Sequence, residues 1–164
     1  MGQAQSGAIH SVPSLEVSQV APMFVLTIAF AVLRGLGLAG VDALDGWQPA
    51  LRGALAAMLL LTATAHFGSR REDLVAMVPR RLPRPELLVT LTGLLELAVA
   101  AAVLFDATAT WGGALFAGLL IAMFPANARA ANRHLTIGGQ PATPLGPRAA
   151  MQALFLVAAI AVAL

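Results

Sequence analysis

Five long apolar runs, separated by short polar connections, set the pattern of this chain. The runs cover residues 21–40, 50–67, 86–105, 110–130 and 149–164. A helix needs about 20 apolar residues to cross the hydrocarbon core of a membrane, with a working range of about 17–25. The second run is marginal by this measure, and the fifth is short, so its helix must stand nearly upright or stop before the far interface. The pattern predicts an all-α integral membrane helical bundle with five spans.

The polar residues 1–19 precede the first apolar run and form a separate N-terminal tail. No basic segment lies ahead of the run, so a cleaved signal peptide is not expected, and residues 21–40 are predicted to be a retained anchor. The remaining length, 20–164, allows a single transmembrane domain.

Composition supports the membrane interpretation. The chain is 59% hydrophobic and only 11% charged, whereas soluble domains carry about 25% charged residues. The lipid bilayer is therefore the expected environment. Cysteine is absent, which excludes disulfides and thiolate metal ligands, and we predict no metal site. The arginines do not alternate with aromatic residues along one face, so a nucleic-acid partner is not expected.

The distribution of arginine predicts the orientation of the bundle. With five spans, the N-terminus and the loops 68–85 and 131–148 share one side of the membrane. This side carries eight of the ten arginines: Arg70, Arg71, Arg80, Arg81, Arg84, Arg129, Arg133 and Arg148. The positive-inside rule makes that side cytoplasmic. We expect a bacterial inner-membrane protein with its N-terminus in the cytoplasm and its C-terminus outside.

The connection 68–85 contains a short apolar segment between two arginine pairs. Residues 73–78 read DLVAMV, and Pro79 and Pro83 follow. An interfacial helix or half-turn stopped by the prolines fits this pattern, because free loops seldom expose consecutive large apolar side chains. A solvated basic loop is the alternative.

Glu96 is the most unusual residue, because it lies inside the third apolar run. A carboxylate near the middle of a membrane helix costs about 2.5–3.5 kcal/mol, so it should face the bundle and be paired, hydrated or protonated. It either accepts protons or contacts a quinone, or it fixes helix register through a hydrogen bond. Arg34 in the first run is the predicted partner, unless its side chain extends to the far interface.

Three further polar residues are candidates for a site at the cytoplasmic end. His66 ends the second run, where it either relays protons or contacts a cofactor, or simply bonds to the neighbouring loop. Asn127 follows Pro125 and lies either in a polar pocket or in a frayed helix end. Gln152 lies four residues after Arg148, so both side chains occupy one helix face and are expected to line the same pocket as Asn127.

Several segments together resemble the DoxX family of small bacterial membrane proteins. They are "LRGALAAMLLLTATAHF", "MVPRRLPRPELLVTLTGLLELAVAAAVLF", "FPANARAA" and "RAAMQ", and the resemblance covers about residues 50–155. It implies a four-helix DoxX-like core, here preceded by one additional helix. It also implies that His66, Glu96, Asn127 and Arg52 occupy the recurrent polar positions of the family. The family takes its name from a subunit of a thiosulfate:quinone oxidoreductase.

Two functions of different class follow as hypotheses. The first is a subunit of a redox-linked, quinone-associated membrane complex, which binds a quinone or lipid-like ligand through Glu96, His66, Asn127, Arg34, Arg52 and Gln152. The chain has no intrinsic cofactor motif, so a partner subunit would carry the electrons and the isolated chain is not expected to be a complete enzyme. The second is a scaffolding membrane protein that docks a partner or forms a homo-oligomer. Transport is a third hypothesis, disfavoured because no inverted repeat is visible.

Overall fold

The computed structural model describes residues 17–164 and contains six α-helices, so most of the predicted polar tail lies outside the described residues. The elements, in chain order, are α1 (Val17–Leu38), a 3-10 turn (Asp42–Leu44), α2 (Trp47–Phe67), α3 (Arg71–Met77), α4 (Pro85–Ala102), α5 (Asp106–Asn132), β1 (Thr136–Ile137), β2 (Gln140–Pro141) and α6 (Leu145–Ala163). Five helices, all except α3, are long and apolar enough to cross a membrane. The prediction of an all-helical chain with five candidate spans is confirmed.

Three of the candidate spans, α1, α5 and α6, begin four residues earlier than the apolar runs predicted. The last helix, α6, begins at Leu145 and contains 19 residues, so it is longer than the run 149–164 predicted. Pro147 is tolerated in its first turn because the first N–H groups of a helix have no partner inside the helix. Helix α5 extends through Pro125 without a break and ends at Asn132. Asn127 is therefore helical, and the alternative of a frayed helix end around it is wrong.

The helices pack in the order of the chain around a central α2. This helix contacts α1, α4 and α6, and α5 joins α4 to α6. The side chains with no exposure lie mainly along the contact of α2 with α4 and include Leu55, Leu59 and Val99. Large apolar side chains such as Phe24, Ile28 and Val32 remain exposed on the outer face of α1. An apolar outer surface is what a lipid environment requires.

One end of the bundle is covered by α3 and the β1–β2 hairpin. Met77 and Ile137 are buried against α5, with Leu74 beside them. The backbone N–H of Gly138 donates to the carboxylate of Asp73 over 2.7 Å, which fastens the hairpin to α3. The prediction of a short helix in the connection 68–85 is confirmed, and its large apolar side chains pack on the hairpin and α5.

The three segments predicted to share one side do meet at this end. Gln19, near the start of α1, accepts hydrogen bonds from the backbone N–H of Thr143 over 2.8 Å and from its hydroxyl over 2.7 Å. Its own amide donates to the carbonyl oxygen of Pro141 over 3.0 Å. The first helix is thereby tied to the connection between the hairpin and α6. We call this the arginine-rich end of the bundle.

Candidate functional site

A cavity of about 630 Å³ lies beneath the arginine-rich end, between α1, α2, α5 and α6. Small-molecule pockets in proteins have volumes of about 300–1,000 Å³ and are mostly apolar with a few convergent polar groups. The polar lining here includes Gln19, Thr62, His66, Arg70, Glu96, Asn127, Arg148 and Gln152. The cavity therefore has the size and the chemical character of a ligand site.

A buried pair of His66 and Glu96 forms one polar wall of the cavity. The imidazole Nε2 lies 3.3 Å from the Glu96 Oε1, and both side chains are about 5% exposed. Thr62 donates its hydroxyl to the other carboxylate oxygen over 2.7 Å. Glu96 thus reaches across the contact between α4 and α2, and both of its oxygens have partners on α2.

The second ring nitrogen of His66 fixes the orientation of the ring. Nδ1 lies 2.8 Å from the carbonyl oxygen of Val89 on α4. When Nδ1 carries a hydrogen, it donates to this carbonyl oxygen, since a carbonyl oxygen can only accept. The contacts with Val89 and with Glu96 hold the imidazole between α2 and α4.

Gly93 allows α4 to approach the ring of His66. A Cβ atom added at Gly93 would lie 2.6 Å from the Cβ and 2.9 Å from the Cγ of His66. Thr92, the preceding residue, has its hydroxyl 3.2 Å from the His66 Nδ1. Residues 92 and 93, which share a face with Glu96, thus form part of the helix contact expected from the small side chains around Glu96.

The opposite polar wall joins α5 to α6. The Asn127 amide donates to the Gln152 Oε1 over 3.0 Å, and the Arg148 guanidinium donates to the Asn127 Oδ1 over 3.1 Å. Gln152 also donates to the backbone carbonyl of Leu120. Arg148 makes a longer contact, 3.4 Å, with the Gln19 Oε1. The expectation that Arg148, Gln152 and Asn127 line one pocket is confirmed.

Two of the candidate residues lie away from the cavity. Arg52 pairs with Asp106 and joins the start of α2 to the start of α5, at the end opposite the arginine-rich end. Arg34 lies beside Gly37 near the last turn of α1, and one of its terminal nitrogens is buried without a hydrogen-bond partner among the described residues.

The predicted pair between Arg34 and Glu96 is wrong. The partners of Glu96 in the described chain are His66 and Thr62. The first helix packs on α2, which separates α1 from α4. Distance along the helix axis placed the two charges at compatible depths, but the order of the helices around the bundle keeps them apart.

Sequence reasoning missed Gln19 and Thr62. Gln19 lay at the edge of the predicted tail, and its only signal was a polar amide next to an apolar run. Thr62 lies four residues before His66 on α2, so the two side chains share a helix face. That spacing was a usable signal once His66 was a candidate.

Metal ligation finds no support within residues 17–164, where no three His, Asp or Glu side chains come together. The amides and the Arg148 guanidinium on one wall are suited to hydrogen bonding. The His66–Glu96 pair on the other is suited to proton exchange.

Comparison with known families gives one match. A family model described as a domain of unknown function (DUF8561) matches residues 55–163. The chain belongs to this family. No curated protein and no solved structure matches it.

The DUF8561 region covers most of the cavity. It begins inside α2 and extends to the end of α6, so it includes both polar walls. The first helix lies outside it, and with it Gln19, which contacts Arg148. In this DUF8561 protein, α1 therefore adds a further polar side chain to a site that the family region builds.

Proposed function

We propose that this DUF8561 protein binds a quinone or lipid-like ligand in its cavity, as a multi-pass membrane subunit of a redox-linked complex. The observation that carries the proposal is the cavity of about 630 Å³ with its two polar walls. Met58, Phe116, Met123, Met151 and Phe155 also line it, and methionine side chains adapt to ligands of irregular shape. The redox assignment rests on the resemblance to the DoxX family.

The donor groups of the cavity suit a quinone. Its two carbonyl oxygens accept hydrogen bonds, and its ring and chain are apolar. Arg148 offers N–H groups from one wall, and the His66–Glu96 pair faces the cavity from the other. A bound quinone would supply electron transfer coupled to proton uptake.

The roles of the protein side chains follow from their contacts. The Val89 carbonyl orients the imidazole of His66 through Nδ1. The Thr62 hydroxyl donates to Oε2 of Glu96, the carboxylate oxygen that does not face His66. In this proposal the pair exchanges protons with the ligand from a fixed position. Asn127 and Gln152 hold Arg148 against the opposite wall. Electrons come from a partner subunit.

A scaffolding function is the alternative. A tightly packed cleft around Glu96 would favour it, because the carboxylate would then only fix helix register. Glu96 instead lines the cavity, which favours ligand binding. The proposal includes partner subunits or a homo-oligomer. The exposed outer faces of the helices would contact the bilayer.

We also propose that the protein resides in a bacterial inner membrane with its arginine-rich end in the cytoplasm. The N-terminus would then lie inside and the C-terminus outside. The support is the positive-inside rule, together with the meeting of α1, α3 and the hairpin at one end.

Native mass spectrometry of the detergent-extracted protein tests the proposal, since it reports bound small molecules and co-purified subunits together. We expect a quinone or lipid-like adduct, which Ala65→Phe should remove because residue 65 lines the cavity. Ala114→Phe is the matched control, because residue 114 is exposed on the outer face of α5. A wild-type protein that carries no adduct and takes up no added short-chain benzoquinone or lipid would overturn the proposal.

A further inference from the structure

Arg148 lies in the cavity wall without a counter-charge among residues 17–164. Its two contacts are with the Asn127 Oδ1 and the Gln19 Oε1, both neutral amide oxygens. Its Nε atom is buried and has no hydrogen-bond partner in the described chain. The residue is half-buried, and removing a charged group from water is costly unless it is paired and hydrogen-bonded. Arg148 thus has no anionic partner in the described chain.

The carboxylate in the described cavity lining does not neutralise Arg148. That carboxylate belongs to Glu96, which is held by His66 and Thr62 on the opposite wall. Arg70 also lines the cavity and adds no negative charge. Arg148 therefore has no paired carboxylate in the described cavity lining.

The donor capacity of Arg148 also exceeds what its neighbours use. A guanidinium has five N–H groups, and two of them donate to Asn127 and Gln19. Of the other three, the Nε–H is buried and inaccessible, and one N–H on each terminal nitrogen is left for a ligand. Guanidinium N–H groups bind carboxylates and phosphates through charge-assisted hydrogen bonds. The surrounding amides hold the guanidinium in place.

We propose that the cavity takes an amphiphile with an anionic head group, a carboxylate or a phosphate, seated against Arg148. Its apolar chain lies among Met58, Phe116, Met123 and Phe155. This inference rests on the proposed function and deepens it, because it selects the acidic ligands among the quinone and lipid-like candidates. A neutral quinone accepts hydrogen bonds from Arg148 but leaves its charge uncompensated.

The test compares two ligands that differ only in the head group. Oleate and oleyl alcohol have the same chain, and their binding to the full-length protein in nonionic detergent is measured by native mass spectrometry and by the shift in Tm. We expect oleate to bind at least about tenfold more tightly, since hydrogen bonds to charged groups contribute about 1.5–3 kcal/mol. A second comparison, of oleoyl lysophosphatidate with inorganic phosphate, distinguishes binding of an amphiphile from binding of a free anion. We expect the lysophosphatidate to bind and inorganic phosphate not to bind.

Variants assign the effect to Arg148. Arg148→Gln should remove the preference for oleate, and Arg148→Lys should keep part of it because the charge remains. Arg133→Gln is the matched control, because Arg133 is an exposed arginine at the same end, and it should leave the preference unchanged. If Arg148→Gln does not fold, the comparison of oleate with oleyl alcohol on the wild-type protein decides.

Equal affinity for oleate and oleyl alcohol would overturn the inference while the proposed ligand site stood. Inorganic phosphate binding as tightly as the lysophosphatidate would overturn it as well. Failure of every amphiphile and quinone to bind would instead remove the proposed function and this inference together.

Discussion

The imidazole of His66 lies 3.3 Å from the carboxylate of Glu96, and both groups are buried between α2 and α4. This contact pairs Glu96, the ionisable residue that the sequence places deepest in an apolar helix. It also connects the cavity to the contact between two helices, so changes at either residue should affect both stability and ligand binding.

Loss of the Glu96 carboxylate should destabilise the protein. Glu96→Ala leaves the Nε2 of His66 without its partner, and an unsatisfied buried polar group costs about 1–3 kcal/mol. The hydroxyl of Thr62 keeps the carbonyl oxygen of Leu59 as an acceptor. Glu96→Gln keeps the shape and one acceptor oxygen, so its loss of stability should be smaller. Chemical unfolding in detergent measures both.

A double-mutant cycle on His66 and Glu96 should show a coupling energy of about 0.5–3 kcal/mol. A cycle on Arg34 and Glu96 should be additive, because α2 lies between their helices. Glu86→Gln, on an exposed position of α4, controls for loss of charge. An additive His66–Glu96 cycle would contradict the pairing.

Gly93→Ala should separate α2 from α4. The new methyl group would lie 2.6 Å from the Cβ of His66, and overpacking of this kind costs about 1–3 kcal/mol. Gly118→Ala is the matched control, since a Cβ there meets nothing within 4 Å and alanine has the better helix propensity. Thermal unfolding of the two variants should therefore move in opposite directions, and equal shifts would refute the close contact at Gly93.

Gln19→Ala should loosen the arginine-rich end. It removes the acceptor of both Thr143 hydrogen bonds and the donor to Pro141. We expect faster amide hydrogen exchange in residues 136–148 with little change in α4, because opening of a local contact is not global unfolding. Gln140→Ala, on an exposed position of the same hairpin, should leave the exchange rates unchanged.

The ion pair of Arg52 and Asp106 should contribute little to stability. The Asp106 side chain is 97% exposed, and exposed ion pairs are worth about 0–1 kcal/mol. Asp106→Asn should lower the free energy of unfolding by less than about 1 kcal/mol. The loss should shrink further in high salt, and a large, salt-independent loss would show that Asp106 has a structural role beyond this pair.

The absence of cysteine makes the proposed orientation directly testable. Thr136→Cys reports on the hairpin and Ala107→Cys on the opposite end, and both positions are exposed. On intact cells, a membrane-impermeant maleimide should label Ala107→Cys, and it should label Thr136→Cys only after permeabilisation. The reverse pattern would invert the proposed orientation.

The residues of the second wall show what local sequence can predict about a site. Arg148 and Gln152 are four residues apart on one helix, so their shared face followed from helix geometry. That this face meets Asn127 on α5 was expected because both segments belong to the same end of the bundle. Gln19 could not be placed in the same way, because its partners, Thr143 and Arg148, are more than 120 residues away along the chain.

The number of candidate spans and the grouping of their ends were determined by the sequence alone, because apolar length and arginine position are local properties. The short helix between α2 and α4 followed from the apolar residues 73–78 and the prolines after them. The partner of Glu96 was decided only by the tertiary structure. Helices that are apolar on all sides carry little information about which face meets which neighbour. Only the packing of α2 between α1 and α4 determined that Glu96 pairs with His66 and that Arg34 lies outside the cavity.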